Sequence, residues 1–214
     1  MTEPVVSTPG VQVLVAGLAD NKLFLGRRYA EWCTAAPSLE AAVAAAAMAQ
    51  DEIGHARSLY PLLKDVAGAS SEVEPETRTT FTNARFLDRP FGSWLDFVAA
   101  NFLFDTAISI LLDAAQDSTL IGLAQRAKRI LEEERLHWLH GEGWTRRLAT
   151  EGQAVREELT SAFSGVLPCA LDMLSLASPA LVEERVLSAD ADALRERYRA
   201  CINPILSAVS LPPA

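Results

Sequence analysis

The chain has little of what would mark several large functional classes. Histidine occurs only three times in 214 residues, as His55, His137 and His140. Cysteine also occurs three times, at Cys33, Cys169 and Cys201, with no Cys-x-x-Cys pair. An odd number of widely spaced thiols excludes a disulfide framework and a zinc-finger ligand set. It fits small buried hydrophobes in a reducing, cytoplasmic setting. Positive charge is scarce, with 19 Lys and Arg against 28 Asp and Glu, a net charge of −9. That balance argues against nucleic acid and against an anionic membrane surface as partners. Long apolar runs are missing. The richest, 41–49, is mostly alanine and too short to span a bilayer, and residues 1–10 lack the basic start and apolar stretch of a signal peptide. There is no flavin, nicotinamide or iron–sulfur fingerprint, so any redox chemistry would draw its electrons from a separate protein.

Alternating strand patterns are missing too, and helical spacing dominates. The first helix is expected over 10–34, with Val11, Leu14, Leu18, Leu25 and Tyr29 near one stripe. Ser38 is a suitable N-cap for a second helix over 39–65, which Pro61 should kink. Residues 66–80 are small, polar and acidic and read as a loop, with a short helix over 81–87. A third long helix is expected over 93–116 and a fourth over 119–150. Two more follow, over 152–175 with a break near Pro168, and over 179–202. The pattern predicts an all-α protein with one domain over 10–203, a flexible N-terminus over 1–9 and a tail over 204–214.

Two of the three histidines belong to matching tetrads, Glu52-Ile53-Gly54-His55 and Glu134-Arg135-Leu136-His137. Residues three apart share a helix face, so each tetrad directs a carboxylate and an imidazole the same way. Two such helices facing each other make the four-ligand half of a di-metal carboxylate site in a four-helix bundle. The tetrads recur 82 positions apart, each ending a helix pair. Hard carboxylate oxygens offset the charge of iron or manganese, and imidazoles add nitrogen ligands. Asp105 is the third-helix candidate, because a carboxylate within Asn101-Phe102-Leu103-Phe104-Asp105-Thr106 should face inward and needs a cation there. The first helix offers Asp20. Asp51 and Glu133, one residue before each tetrad, are placed to accept the outer N–H of the opposing histidine. His140 and Glu142 read as exposed polar residues. Trp32, Trp94, Trp138 and Trp144 read as core or interface anchors.

The segment from Leu18-Ala19-Asp20-Asn21-Lys22 to Tyr60-Pro61-Leu62-Leu63 resembles the phenylacetic acid catabolic protein family. So do FVAANFLFDTAISILL and ILEEERLHWLHGEGWTRRLA. These are the ferritin-like A-type and C-type subunits of the multicomponent phenylacetyl-CoA epoxidase, and the likeness covers about residues 15–150. Asp20-Asn21, Arg27 with Glu31-Trp32, Ala56-Arg57 and Gly143-Trp144 with Arg147-Leu148 look most like the C-type subunit. The resemblance implies a ferritin-like four-helix bundle with extra C-terminal helices. It also implies a di-iron, acyl-CoA-binding A-type partner and a structural role for the C-type chain.

This chain keeps the pattern of the metal-binding subunit at Glu52, His55, Asp105, Glu134 and His137, with 29 positions from Asp105 to Glu134. Counted back from Ala36-Pro37-Ser38-Leu39, however, the first-helix ligand position falls on Lys22, which cannot ligate a metal while protonated. Three outcomes follow: a metal-free ring closed by Lys22, a depleted site with one metal, or Asp20 as the sixth ligand. The expected function is a subunit of a monooxygenase assembly, as a homodimer or beside a homologous ferritin-like subunit. The alternatives are a di-iron oxygenase in its own right and a metal-free helical scaffold.

Overall fold

The computed structural model describes residues 9–65, 76 and 78–214, and every regular element among them is helical. The expected flexible N-terminus and most of the 66–80 loop lie outside the described residues. The first helix, α1, spans Pro9–Ala30 and is followed by a 3-10 turn at Glu31–Cys33, so it stops short of residue 34. Helix α2 spans Leu39–Leu59; its N-cap Ser38 accepts a hydrogen bond from the Ala41 N–H. Pro61 separates it from the single turn α3, Leu62–Asp65. The expected helix over 81–87 is only a 3-10 turn at Arg85–Asp88.

The third long helix is one continuous rod of three parts. A Ser93–Asp96 capping box starts α4, Trp94–Ala99. The backbone then widens into a π-helical stretch over Ala100–Asp105 and returns to α-geometry in α5, Thr106–Ala114. Such local widening often marks functional positions. Here it turns both Asn101 and Asp105 into the interior. The rod is long and apolar enough to cross a membrane, against the reading of the sequence, but most of its apolar window is buried inside the protein. Its hydropathy is that of a core helix.

Helix α6 covers Ile121–Leu148 and carries the second tetrad. Gly152, with φ of 121°, turns the chain into α7, Gln153–Leu174. That helix runs through Pro168 without a break. Proline removes one N–H bond, and the packing of Leu159, Phe163, Val166 and Ala170 on one face holds the helix together. The last expected helix is two: α8, Pro179–Glu183, and α9, Ala191–Ala208. α9 continues past 202 and contains Pro204.

The result is an all-α, ferritin-like bundle. Helices α1, α2, the α4–α5 rod and α6 surround one core, and α7 and α9 cover the rod. Gly26 lets α1 and α2 approach closely, since a Cβ there would stand 2.7 Å from Ile53 Cγ1 and 3.0 Å from the Ala49 carbonyl oxygen. Gly141 does the same between α6 and the π-helical turn, at 3.0 Å from Phe102 Cα. The cysteines are not buried: Cys33 and Cys169 are partly exposed and Cys201 is exposed. All three thiols are free, and Cys169 packs against the core. Trp32, Trp94 and Trp144 form one aromatic cluster with Phe97 at the end of the bundle.

Candidate metal centre

Each of the four core rods sends one side chain to a common point. Lys22 comes from α1, Glu52 from α2, Asp105 from the end of the π-helical turn and Glu134 from α6; all four are buried. Lys22 Nζ donates to Asp105 Oδ1 at 2.5 Å, to Glu134 Oε1 at 2.5 Å and to Glu52 Oε1 at 3.1 Å. An ammonium has three N–H donors, and all three are used. Glu134 Oε2 accepts from the Ser109 hydroxyl at 3.0 Å.

The two histidines close the ring. His137 Nδ1 donates toward Glu52 Oε1 at 3.1 Å and Asp105 Oδ2 at 3.2 Å. Its Nε2 faces Asp51 Oδ2 at 3.4 Å. His55 Nε2 donates to Glu133 Oε2 at 2.6 Å, and its Nδ1 faces Glu134 Oε1 at 3.2 Å. Asp51 and Glu133 thus take the outer nitrogens, each from the histidine of the opposing helix.

Charge balance explains the protonation of the ring. Burial alone would lower the Lys22 ammonium. Asp105, Glu134 and Glu52 outweigh it and raise Lys22 well above its ordinary value. Burial likewise disfavours the His137 cation, but Glu134, Asp105 and Glu52 push it up to about 12. His55 is raised against its burial by Glu134 and Glu52. Burial would raise Glu134, yet Lys22, His137 and His55 hold it well below the ordinary carboxylate range. Glu52 goes the other way, to about 7, first through burial and then through the nearby Asp105. Its Oε2 is buried with no hydrogen-bond partner among the described residues.

Donor atoms of Glu52, Asp105, Glu134 and His137 lie within 4.8 Å of one another, a set that could hold a cation. It does not fit a pair of divalent ions while Lys22 is in place. A di-metal bundle takes a carboxylate from each helix outside the two tetrads, and α1 supplies an ammonium instead. That ammonium already engages the three carboxylates that would hold the ions.

Asp20 does not reach this ring. It accepts from the Tyr60 hydroxyl at 2.8 Å, Arg78 at 2.9 Å, the Thr82 N–H at 2.8 Å and the Thr82 hydroxyl at 2.9 Å. Its neighbour Asn21 accepts from the Ala84 N–H at 2.8 Å. The pair fastens the segment 78–84 over α1. With its four donors in place, Asp20 is no sixth ligand.

His140, expected at the surface, is partly buried. Its Nδ1 lies 2.9 Å from Asn101 Oδ1, and burial with the nearby His137 cation lowers it to about 4. Glu142 is a surface residue paired with Arg146 at 2.9 Å. Asn101 and Ser109 were not anticipated. Asn101 donates to the His137 carbonyl at 3.1 Å and so fixes the α6 backbone behind the ring. Its signal was available, since it is another polar residue in the apolar run that holds Asp105.

A model of the family described as phenylacetic acid catabolic protein matches residues 3–214. The chain belongs to that family. Among its relatives, the C-type subunit of 1,2-phenylacetyl-CoA epoxidase from Escherichia coli (strain K12) is 27% identical over 150 residues. The match covers 69% of this chain and 60% of that protein, so the chain spans about 60% of the relative's length. Within the family, this chain combines two complete tetrads with a lysine among their carboxylates.

Proposed function

We propose that this chain is a non-catalytic, C-type subunit of a phenylacetyl-CoA epoxidase-type assembly in phenylacetate breakdown. In this reading it works in the cytoplasm, beside a homologous ferritin-like subunit that binds metal and acyl-CoA. The observation that carries the reading is Lys22 Nζ, bonded to Glu52, Asp105 and Glu134 at the centre of the bundle. The ammonium offsets part of the carboxylate repulsion that metal ions would otherwise offset, and it ties the four helices together. The likeness to a C-type epoxidase subunit supports the assembly. A second reading, one metal ion beside a displaced Lys22, draws on the closeness of the four donor atoms.

Co-expression with an A-type subunit of the same family tests the proposal. The two chains should co-elute, and ring epoxidation should depend on the partner's ligands. Turnover of phenylacetyl-CoA by this chain alone, or failure to bind the A-type subunit, would overturn it.

A further inference from the structure

A cleft away from the ring carries a different chemistry. Between the segment that leads into the long rod and one flank of α7 lies an open cavity of about 410 Å³. That size is within the range of small-molecule sites. Phe86, Phe91 and Val166 supply apolar walls, and Asp96, Glu158 and Gly165 line it as well.

The aromatic pair is held from behind. The Phe86 ring meets the buried Phe104 ring edge-on, with centroids 4.9 Å apart and an interplanar angle of 79°. Phe91 lies nearly parallel to Phe86, at 10°, with centroids 6.4 Å apart. Both rings remain partly exposed. The face of an aromatic ring is negative and attracts a cation.

The charge of the lining has one sign. Asp96 and Glu158 bring carboxylates, and no lysine, arginine or histidine lines the cavity. Asp96 Oδ2 accepts from the Ser93 N–H at 3.0 Å and from the Ser93 hydroxyl at 3.2 Å. This capping box answers the positive end of the rod. Glu158 is exposed and makes no hydrogen bond or ion pair among the described residues. Its charge is left for a ligand. A metal ion needs more converging oxygens than one free and one bonded carboxylate. Aromatic walls beside an uncompensated carboxylate suit an organic cation instead.

The α7 side of the cleft is open at Gly165. Nothing lies within 4 Å of the place a Cβ would take there. A side chain at this position would enter the cavity without pressing on the core.

We propose that this cleft binds a small quaternary or methylated ammonium compound, with the cation against Phe86 and Phe91 and its charge met by Glu158. The cleft shares no lining residue with the Lys22 ring, and its test on the full chain alone is independent of assembly with a second subunit. Calorimetric titration with choline tests it, against the neutral analogue in which carbon replaces the ammonium nitrogen. Choline should saturate at millimolar concentration or below, and the neutral analogue should bind at least about fivefold more weakly. Phe91→Leu and Glu158→Gln should each weaken choline binding about threefold or more. Gly165→Leu should abolish binding and leave the melting temperature unchanged. Gly143→Leu, on an equally open flank of α6 outside the cleft, should leave binding intact. Absence of saturable choline binding up to about 10 mM overturns the proposal. Equal affinity for the neutral analogue overturns the recognition of charge. Binding that persists in Gly165→Leu places choline elsewhere and overturns the site.

Discussion

Lys22 Nζ stands 2.5 Å from Asp105 Oδ1, although 83 positions separate the residues and both side chains are closed to solvent. The buried Lys22 ammonium keeps its charge because it is hydrogen-bonded to three carboxylates. Taking one partner away leaves the others buried and uncompensated, which costs about 3–5 kcal/mol. Lys22→Met keeps much of the volume and removes the charge. Urea unfolding should show a loss of about that size. A loss within the noise of a surface substitution would contradict the ring described here.

The ring also sets the pH dependence of stability. His137 is pushed up to about 12 from 6.5, so its contribution is complete below pH 6.5 and is lost as pH rises toward 12. Glu52 is raised from 4.5 to about 7, so ionising it across that interval also removes stability. Glu134 is held well below 4.5; its contribution is present above pH 4.5 and is lost as pH falls through the depressed value. The melting temperature should therefore be highest near pH 4.5, decline as Glu52 ionises toward pH 7 and further as His137 loses its proton toward pH 12, and fall on the acid side as Glu134 takes up a proton. His137→Gln should flatten the alkaline limb. An unchanged alkaline limb in that variant would show that His137 is not the group responsible.

Close helix approach at two glycines positions the ring. Gly26 lies one turn beyond Lys22 and sets the α1–α2 spacing, and Gly141 lies one turn beyond His137 against the π-helical turn. Gly26→Ala and Gly141→Ala press a methyl group on backbone atoms and should each cost about 1–3 kcal/mol. Chemical denaturation of the two variants measures it. Stabilisation of either would mean that the neighbouring backbone yields more easily than its packing indicates.

Asp20 supplies the strap rather than the ring. Asp20→Ala leaves the Tyr60 hydroxyl, Arg78 and Thr82 without their shared acceptor, a loss of about 3 kcal/mol from buried hydrogen bonds. Amide exchange at Thr82 should rise strongly, and exchange across α6 should change little. Equal acceleration in both places would show that Asp20 stabilises the whole bundle and not the strap.

Much of this arrangement is legible in the sequence, through spacing that acts locally. The tetrads place Glu52 with His55 and Glu134 with His137 because residues three apart share a helix face. Asp105 is marked by its apolar neighbours. Lys22 emerges only through the likeness to the family, which puts the first-helix ligand position on it when counted back from Ala36-Pro37-Ser38-Leu39; helical spacing alone points to Asp20. The unread parts depend on contacts between distant segments. Nothing near Asp20 announces Tyr60, Arg78 and Thr82 as partners. The π-helical turn at Ala100–Asp105 adds a register shift that uniform 3.6-residue spacing does not anticipate. His140 reads as polar surface until Asn101 and Trp94 are brought beside it, and Pro168 reads as a break until the packing of α7 is seen.

Metal analysis of the full chain, produced with ample iron and manganese, tests most directly whether Lys22 replaces the metals. The account predicts far less than one equivalent per chain in the native protein and a gain of metal in Lys22→Glu. Two equivalents of iron or manganese in the native protein would contradict it.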